Sequence, residues 1–72
     1  MTGATAAILG QIRSLGYIVK EFRVNGTVEY HAVPLSGEGA QVARCNDGDD
    51  DDSAYHAACL LAEAVGLELD CG

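Results

Sequence analysis

Between Ala4 and Leu15 apolar residues recur at steps of three or four: Ala4, Ile8, Ile12 and Leu15 share one stripe, and Ala7, Gln11 and Ser14 lie opposite. That period predicts an amphipathic helix. Thr2 or Thr5 is its expected amino-terminal cap. Gly16 follows the last periodic residue, where a left-handed carboxyl cap favours glycine, and Arg13 lies near the negative end of the helix dipole. From Tyr17 the pattern changes. Tyr17–Val24 and Thr27–Val33 are rich in aromatic and β-branched residues and flank Asn25-Gly26, which predicts a β-hairpin. A two-residue loop would put Glu21 and Arg23 on the same side as Val28 and Tyr30, and Phe22 beside Glu29. A three-residue loop, Val24-Asn25-Gly26 with Gly26 as a left-handed bulge, collects Ile18, Phe22, Val28, Tyr30 and Ala32 on one face. Opposite them would stand Val19, Glu21, Arg23, Glu29, His31 and Val33. The second register separates core from polar face better and is the expected one, with Lys20 left to snorkel at the sheet edge.

Pro34 to Glu38 reads as a turn, and Gly39 to Asn46 as a third, weaker strand that alternates Ala40, Val42, Arg44 with Gln41, Ala43, Cys45. After an acidic loop, Asn46 to Asp52, a second helix is expected from Ser53 to Val65. Ala54, Ala58, Leu61 and Val65 define its centre, with Ala57, Ala62 and Ala64 beside them. Its polar stripe is only His56, Cys59 and Glu63, flanked by Leu60 and Leu67. A helix so largely apolar implies contacts on two sides. Gly66 ends it, and Leu67 to Leu69 is expected to pack back before the tail, within residues 67–72, frays.

The order α-β-β-β-α is that of a single α+β domain over residues 1–72: a three-stranded antiparallel meander with both helices on one face, a two-layer sandwich. The layout resembles the double-stranded-RNA-binding domain in topology and length. In that family a basic cluster opens the second helix to hold phosphates, and a longer first hairpin loop enters the minor groove. Here the matching positions are Asp49-Asp50-Asp51-Asp52-Ser53 and the short Asn25-Gly26 turn, so the resemblance implies the fold and not the RNA contact. Residues 17–65 also resemble small phage-associated α/β sandwich domains, through the helix segment Tyr55-His56-Ala57-Ala58-Cys59-Leu60-Leu61-Ala62. That likeness implies no particular activity; the chain's compactness and unpaired cysteines suit a bacterial or phage cytosol.

Charge sharpens the picture. Eleven acidic against four basic side chains give a net charge of -7, which repels phosphate backbones and disfavours nucleic acid as a partner. No apolar run is long enough to cross a bilayer. Cys45, Cys59 and Cys71 form no paired spacing and no leader-like segment precedes them, so free thiols in a reducing, cytoplasmic setting are expected. With 49% apolar residues in so short a chain, a core forms but a deep enclosed active site does not fit.

Candidate chemistry is sparse. Asp47, Asp49 and Asp51 alternate as calcium-loop ligands do, but Asp52 then stands where such a loop needs glycine and Ala58 where it needs a bidentate glutamate. The simpler account is capping of the second helix, worth roughly 0.3–1 kcal/mol per carboxylate less their mutual repulsion. His56, Cys59 and Glu63 lie at i, i+3 and i+7 on one stripe and offer zinc-type donors, against the simpler account of an exposed helical face. Cys45 and Cys71 are possible further ligands that no spacing selects. A catalytic Cys59 with His56 or His31 lacks an orienting group, and His31 is more simply a cross-strand partner of Glu21 or Glu29. Tyr55 is expected to pack the acidic loop down. Gly37-Glu38-Gly39 lacks the lysine and helix start of a phosphate loop. No catalytic group and no cofactor motif emerges.

The expected function is therefore a non-enzymatic protein-interaction module, a homodimer or a partner of another protein. Its contacts would involve Leu60 and Leu67 on the second helix and Tyr17, Val19 and Val33 near one end of the sheet. The competing expectation is an acidic mimic of nucleic-acid phosphates that occupies a basic groove.

Overall fold

The computed structural model describes residues 3–68, and the chain runs α1 (Gly3–Ser14), β1 (Tyr17–Val24), β2 (Thr27–Pro34), β3 (Gln41–Cys45) and α2 (Asp50–Ala64). The three strands form an antiparallel sheet in the order β1-β2-β3. Both helices pack on one face, giving the expected α+β arrangement; α2 lies over β2 and β3, and α1 lies beside α2 and over β1. The core joins Ile8, Leu9 and Ile12 of α1 to Ala54, Ala57, Ala58, Leu61 and Ala62 of α2, and both to Val28, Tyr30, Ala32 and Ala43 of the sheet. The alanines of α2 carry small side chains, which lets the helix backbone settle close to the strands while its larger Leu61 fills the centre.

The hairpin register differs from the expected one. Val24 pairs with Thr27, so the loop is only Asn25-Gly26, with Asn25 at φ 49° and Gly26 at φ 78°. Two successive left-handed residues form the primed turn whose twist matches the strands, and Asn-Gly tolerates it best. Because a slip of one residue turns every side chain over, β1 presents the face opposite to the one expected while β2 is as expected. Tyr17, Val19, Glu21 and Arg23 share the helix-covered face with Val28, Tyr30 and Ala32, and Ile18, Lys20, Phe22 and Val24 turn away from it. The polar residues fit there because Tyr30 reaches them. Its ring is fully buried while its hydroxyl donates to Glu21 Oε1 at 2.8 Å, and Arg23 closes on the same carboxylate through Nη2 and Nε, each at 3.1 Å. Lys20, exposed on the open face, has no need to snorkel.

Smaller departures have local causes. The buried stripe of α1 is Thr5, Ile8, Leu9 and Ile12, whereas Ala4 and Leu15 are exposed. Thr5 sits buried inside the helix, so it does not cap it, and Thr2 lies outside the described residues. Gly39, at φ 76°, interrupts extended backbone and delays β3 to Gln41. Helix α2 starts three residues earlier than expected, because Asp49 in extended conformation accepts from the Asp51 N–H at 2.9 Å and acts as the cap. Asp50, Asp51 and Asp52 thus form the first turn, where carboxylates favour the helix dipole.

At its other end α2 closes as expected. Gly66 is left-handed, its N–H donates to Glu63 O, and the Leu67 N–H donates to Ala62 O at 2.8 Å. This paired closure brings Leu67 back onto the core. Leu69, Cys71 and the expected fraying over 69–72 lie outside the described residues.

Candidate functional site

Two surfaces collect the residues singled out by sequence. The first is the sheet face that no helix covers. Pairing sets Ile18 beside Val33, Lys20 beside His31 and His31 beside Val42, with Phe22 and Arg44 flanking Glu29. Ile18 is 50%, Phe22 48% and Val42 51% exposed, so each leaves about half its surface to solvent on this face, around Lys20 and His31. The Phe22 and His31 rings meet at 4.9 Å between centroids, tilted by 60°. His31 Nε2, sheltered from water, lies 3.1 Å from Glu29 Oε2, off the line of a hydrogen bond. The partner of His31 is thus a glutamate on its own strand together with a cross-strand ring. Lys20 and Arg44 against Glu29 make this face slightly cationic on a chain of net charge -7.

Of the interface residues expected from sequence, Val33 lies on this face. Tyr17 and Val19 are partly buried on the covered face and pack against the core. Leu67 also packs there, and Leu60, 47% exposed, lies on α2. Ile18, Phe22 and Val42 were hidden from sequence reasoning by the inverted register of β1 and by a third strand whose two faces differ little.

The second surface is a cleft of about 420 Å³ between the end of β3, the acidic loop and α2, lined by Cys45, Asp47, Tyr55, His56, Cys59, Leu60 and Glu63. The loop is fixed by Ser53: its buried hydroxyl accepts from the Asp47 N–H at 2.8 Å, and its own N–H donates to Asp49 O at 2.8 Å. Gly48 N–H also donates to Asn46 Oδ1 at 3.3 Å. So held, Asp47 turns its carboxylate to His56 Nδ1 and also accepts from the Cys45 thiol. The hydrogen bond from His56, followed by that from Cys45, holds the Asp47 carboxyl below the ordinary aspartate range. Burial, then the bond to Asp47, pushes the Cys45 thiol up.

The donor atoms of Cys45, Asp47 and His56 all lie within 4.8 Å of one another. Cys59 and Glu63, the other members of the expected helical stripe, line the same cleft with Cys59 half-buried and Glu63 exposed. Tyr55 packs against the core beside them. Asp49 and Asp51 point elsewhere in function: they meet through the helix cap. Ser53 was not anticipated, because a serine at a helix start is ordinarily read as the cap itself rather than as the acceptor that pins a loop.

A carboxylate between thiol and imidazole is a poor arrangement for nucleophilic attack. The thiolate is the reactive form, and here the neighbouring negative charge favours the protonated thiol. Among the described residues no helix is long and apolar enough to cross a membrane. No known family model, curated protein sequence or solved structure matches this chain.

Proposed function

We propose that this chain is a small, non-enzymatic interaction module that self-associates through the open face of its sheet. The observation that carries the reading is the half-exposed trio Ile18, Phe22 and Val42 on one uncovered face. Exposed apolar surface gathered on one face is what association removes from water. Charge supports the same face: it holds two of the chain's four cationic side chains, Lys20 and Arg44. A second copy approaching there avoids the strongest repulsion between two chains of charge -7.

Size sets the affinity. Two eight-residue strands of about 26 Å and one five-residue strand of about 17 Å, spaced about 4.8 Å apart, give two facing sheets a contact of only about 650 Å² in total. Stable interfaces usually bury roughly 1,200–2,000 Å², which makes the dimer weak, with Kd on the order of tens to hundreds of micromolar. Amide NMR spectra recorded across a dilution series test this. Shifts concentrated on residues 18–24, 29–33 and 42–44 are expected; shifts confined to α2, or none, would refute the proposed contact.

A second reading, an acidic surface that imitates phosphates, draws on the exposure of all four carboxylates from Asp49 to Asp52. It requires a basic partner whose binding weakens with salt and is lost when the four become Asn. Helix capping already accounts for the run, so self-association stands first.

A further inference from the structure

We propose that Cys45, Asp47 and His56 form a binding site for one borderline divalent cation, zinc by the nature of its ligands. The trio offers one sulfur, one carboxylate oxygen and one imidazole nitrogen, drawn from the end of β3, the acidic loop and α2. The donor atoms lie at most 4.8 Å apart; the longest separations must contract by about an ångström, and Asp47 must draw back from His56 Nδ1, to become the edges of a tetrahedron built on zinc bonds of about 2.0–2.3 Å. Rotations of exposed side chains supply that movement, since Asp47 and His56 are both exposed. The backbone that sets their spacing is already fixed by the buried Ser53 hydroxyl.

The charges balance. Cys45 releases its thiol proton to solvent, Asp47 binds as the carboxylate, and His56 binds through the lone pair of neutral Nδ1. One thiolate and one carboxylate then neutralise the dication. Metal bonds replace the hydrogen bonds that Asp47 now accepts from His56 and Cys45. The set is softer than the all-oxygen cages that calcium and magnesium favour. Three protein ligands leave the fourth position to water, as in zinc sites that stay open. Cys59 lines the cleft but its sulfur stands outside the trio. Seated there, the ion ties the sheet to the start of α2 across the acidic loop.

The test uses the full chain with cobalt as a spectroscopic stand-in for zinc. Cobalt should give a thiolate charge-transfer band in the near ultraviolet with tetrahedral visible bands, and native mass spectrometry with zinc should show one ion per chain, removed by chelator. Cys45→Ser should abolish the charge-transfer band, and His56→Gln, at an exposed position, should weaken binding at least about tenfold. Cys59→Ala and the pair Asp49→Asn, Asp51→Asn should leave the spectrum unchanged, with circular dichroism confirming that each variant folds. Cobalt bound without a thiolate band, a band that survives Cys45→Ser, or an ion lost on neutralising Asp49 and Asp51 would each overturn the site.

Discussion

The contact between Tyr30 and Glu21 exists only in the observed hairpin register, so it tests the register directly. Tyr30→Phe keeps the buried ring and removes the hydroxyl that donates to Glu21 Oε1 at 2.8 Å. A hydrogen bond to a charged group is worth about 1.5–3 kcal/mol. Glu21 is exposed and keeps the Arg23 fork, so the expected loss is about 1–1.5 kcal/mol. That is a sizeable part of the roughly 4–11 kcal/mol that a 72-residue domain holds. The double-mutant cycle with Glu21→Gln should return a coupling of about 1 kcal/mol in urea denaturation followed by circular dichroism.

Alkali supplies a readout of the same hydroxyl. Burial, followed by the bond to Glu21, pushes the Tyr30 phenol up to about 12 from an ordinary 10. The folded value is the raised one, so the stabilisation is complete below about pH 10 and is lost as pH climbs through 12. Two units correspond to at most about 2.7 kcal/mol. Because the hydroxyl sits at the rim among exposed groups, although its ring is buried, screening reduces this to about 1–2 kcal/mol. Tyr30→Phe should flatten that part of the alkaline limb. A coupling near zero would place Glu21 on the other face and refute the two-residue loop.

Two further substitutions examine the turns. Gly26→Ala meets only ordinary contacts, the nearest being Asn46 Oδ1 at 3.8 Å, so its cost should come from the left-handed backbone at φ 78°: about 1–2 kcal/mol by thermal melting, with strand pairing retained. Asp49→Ala removes the cap of α2 and should cost about 1 kcal/mol, whereas Asp49→Asn should be nearly neutral; equal losses in the two would show that charge rather than capping matters there.

The architecture was legible wherever one periodicity dominated. Alternation of Val28, Tyr30 and Ala32 marked the covered face of β2, and Ala54, Ala58 and Leu61 marked the buried stripe of α2. The face of β1 was misread because polarity alone assigned Glu21 and Arg23 to solvent. A fully buried tyrosine whose hydroxyl reaches the rim makes the covered side acceptable to both, and no count of apolar residues carries that information. Likewise the aspartates after Gly48 looked like loop because aspartate is a poor helix former in a helix interior, yet it is favoured in a first turn.

The cleft was half legible. Helical spacing aligned His56, Cys59 and Glu63, but Asp47 and Cys45 reach His56 only through the path of the acidic loop. That path is set by the Ser53 hydroxyl, a tertiary contact with no periodic signature.

Sedimentation equilibrium of the wild-type chain and of Phe22→Glu, each from about ten to several hundred micromolar, tests the proposed self-association most directly. Phe22 is about half exposed, so the variant should fold, and a charge beside Glu29 opposes burial of the patch. The account predicts a concentration-dependent dimer for the wild type and a monomer throughout for Phe22→Glu. A wild-type monomer at the highest concentration, or a dimer indifferent to Phe22→Glu, would contradict it.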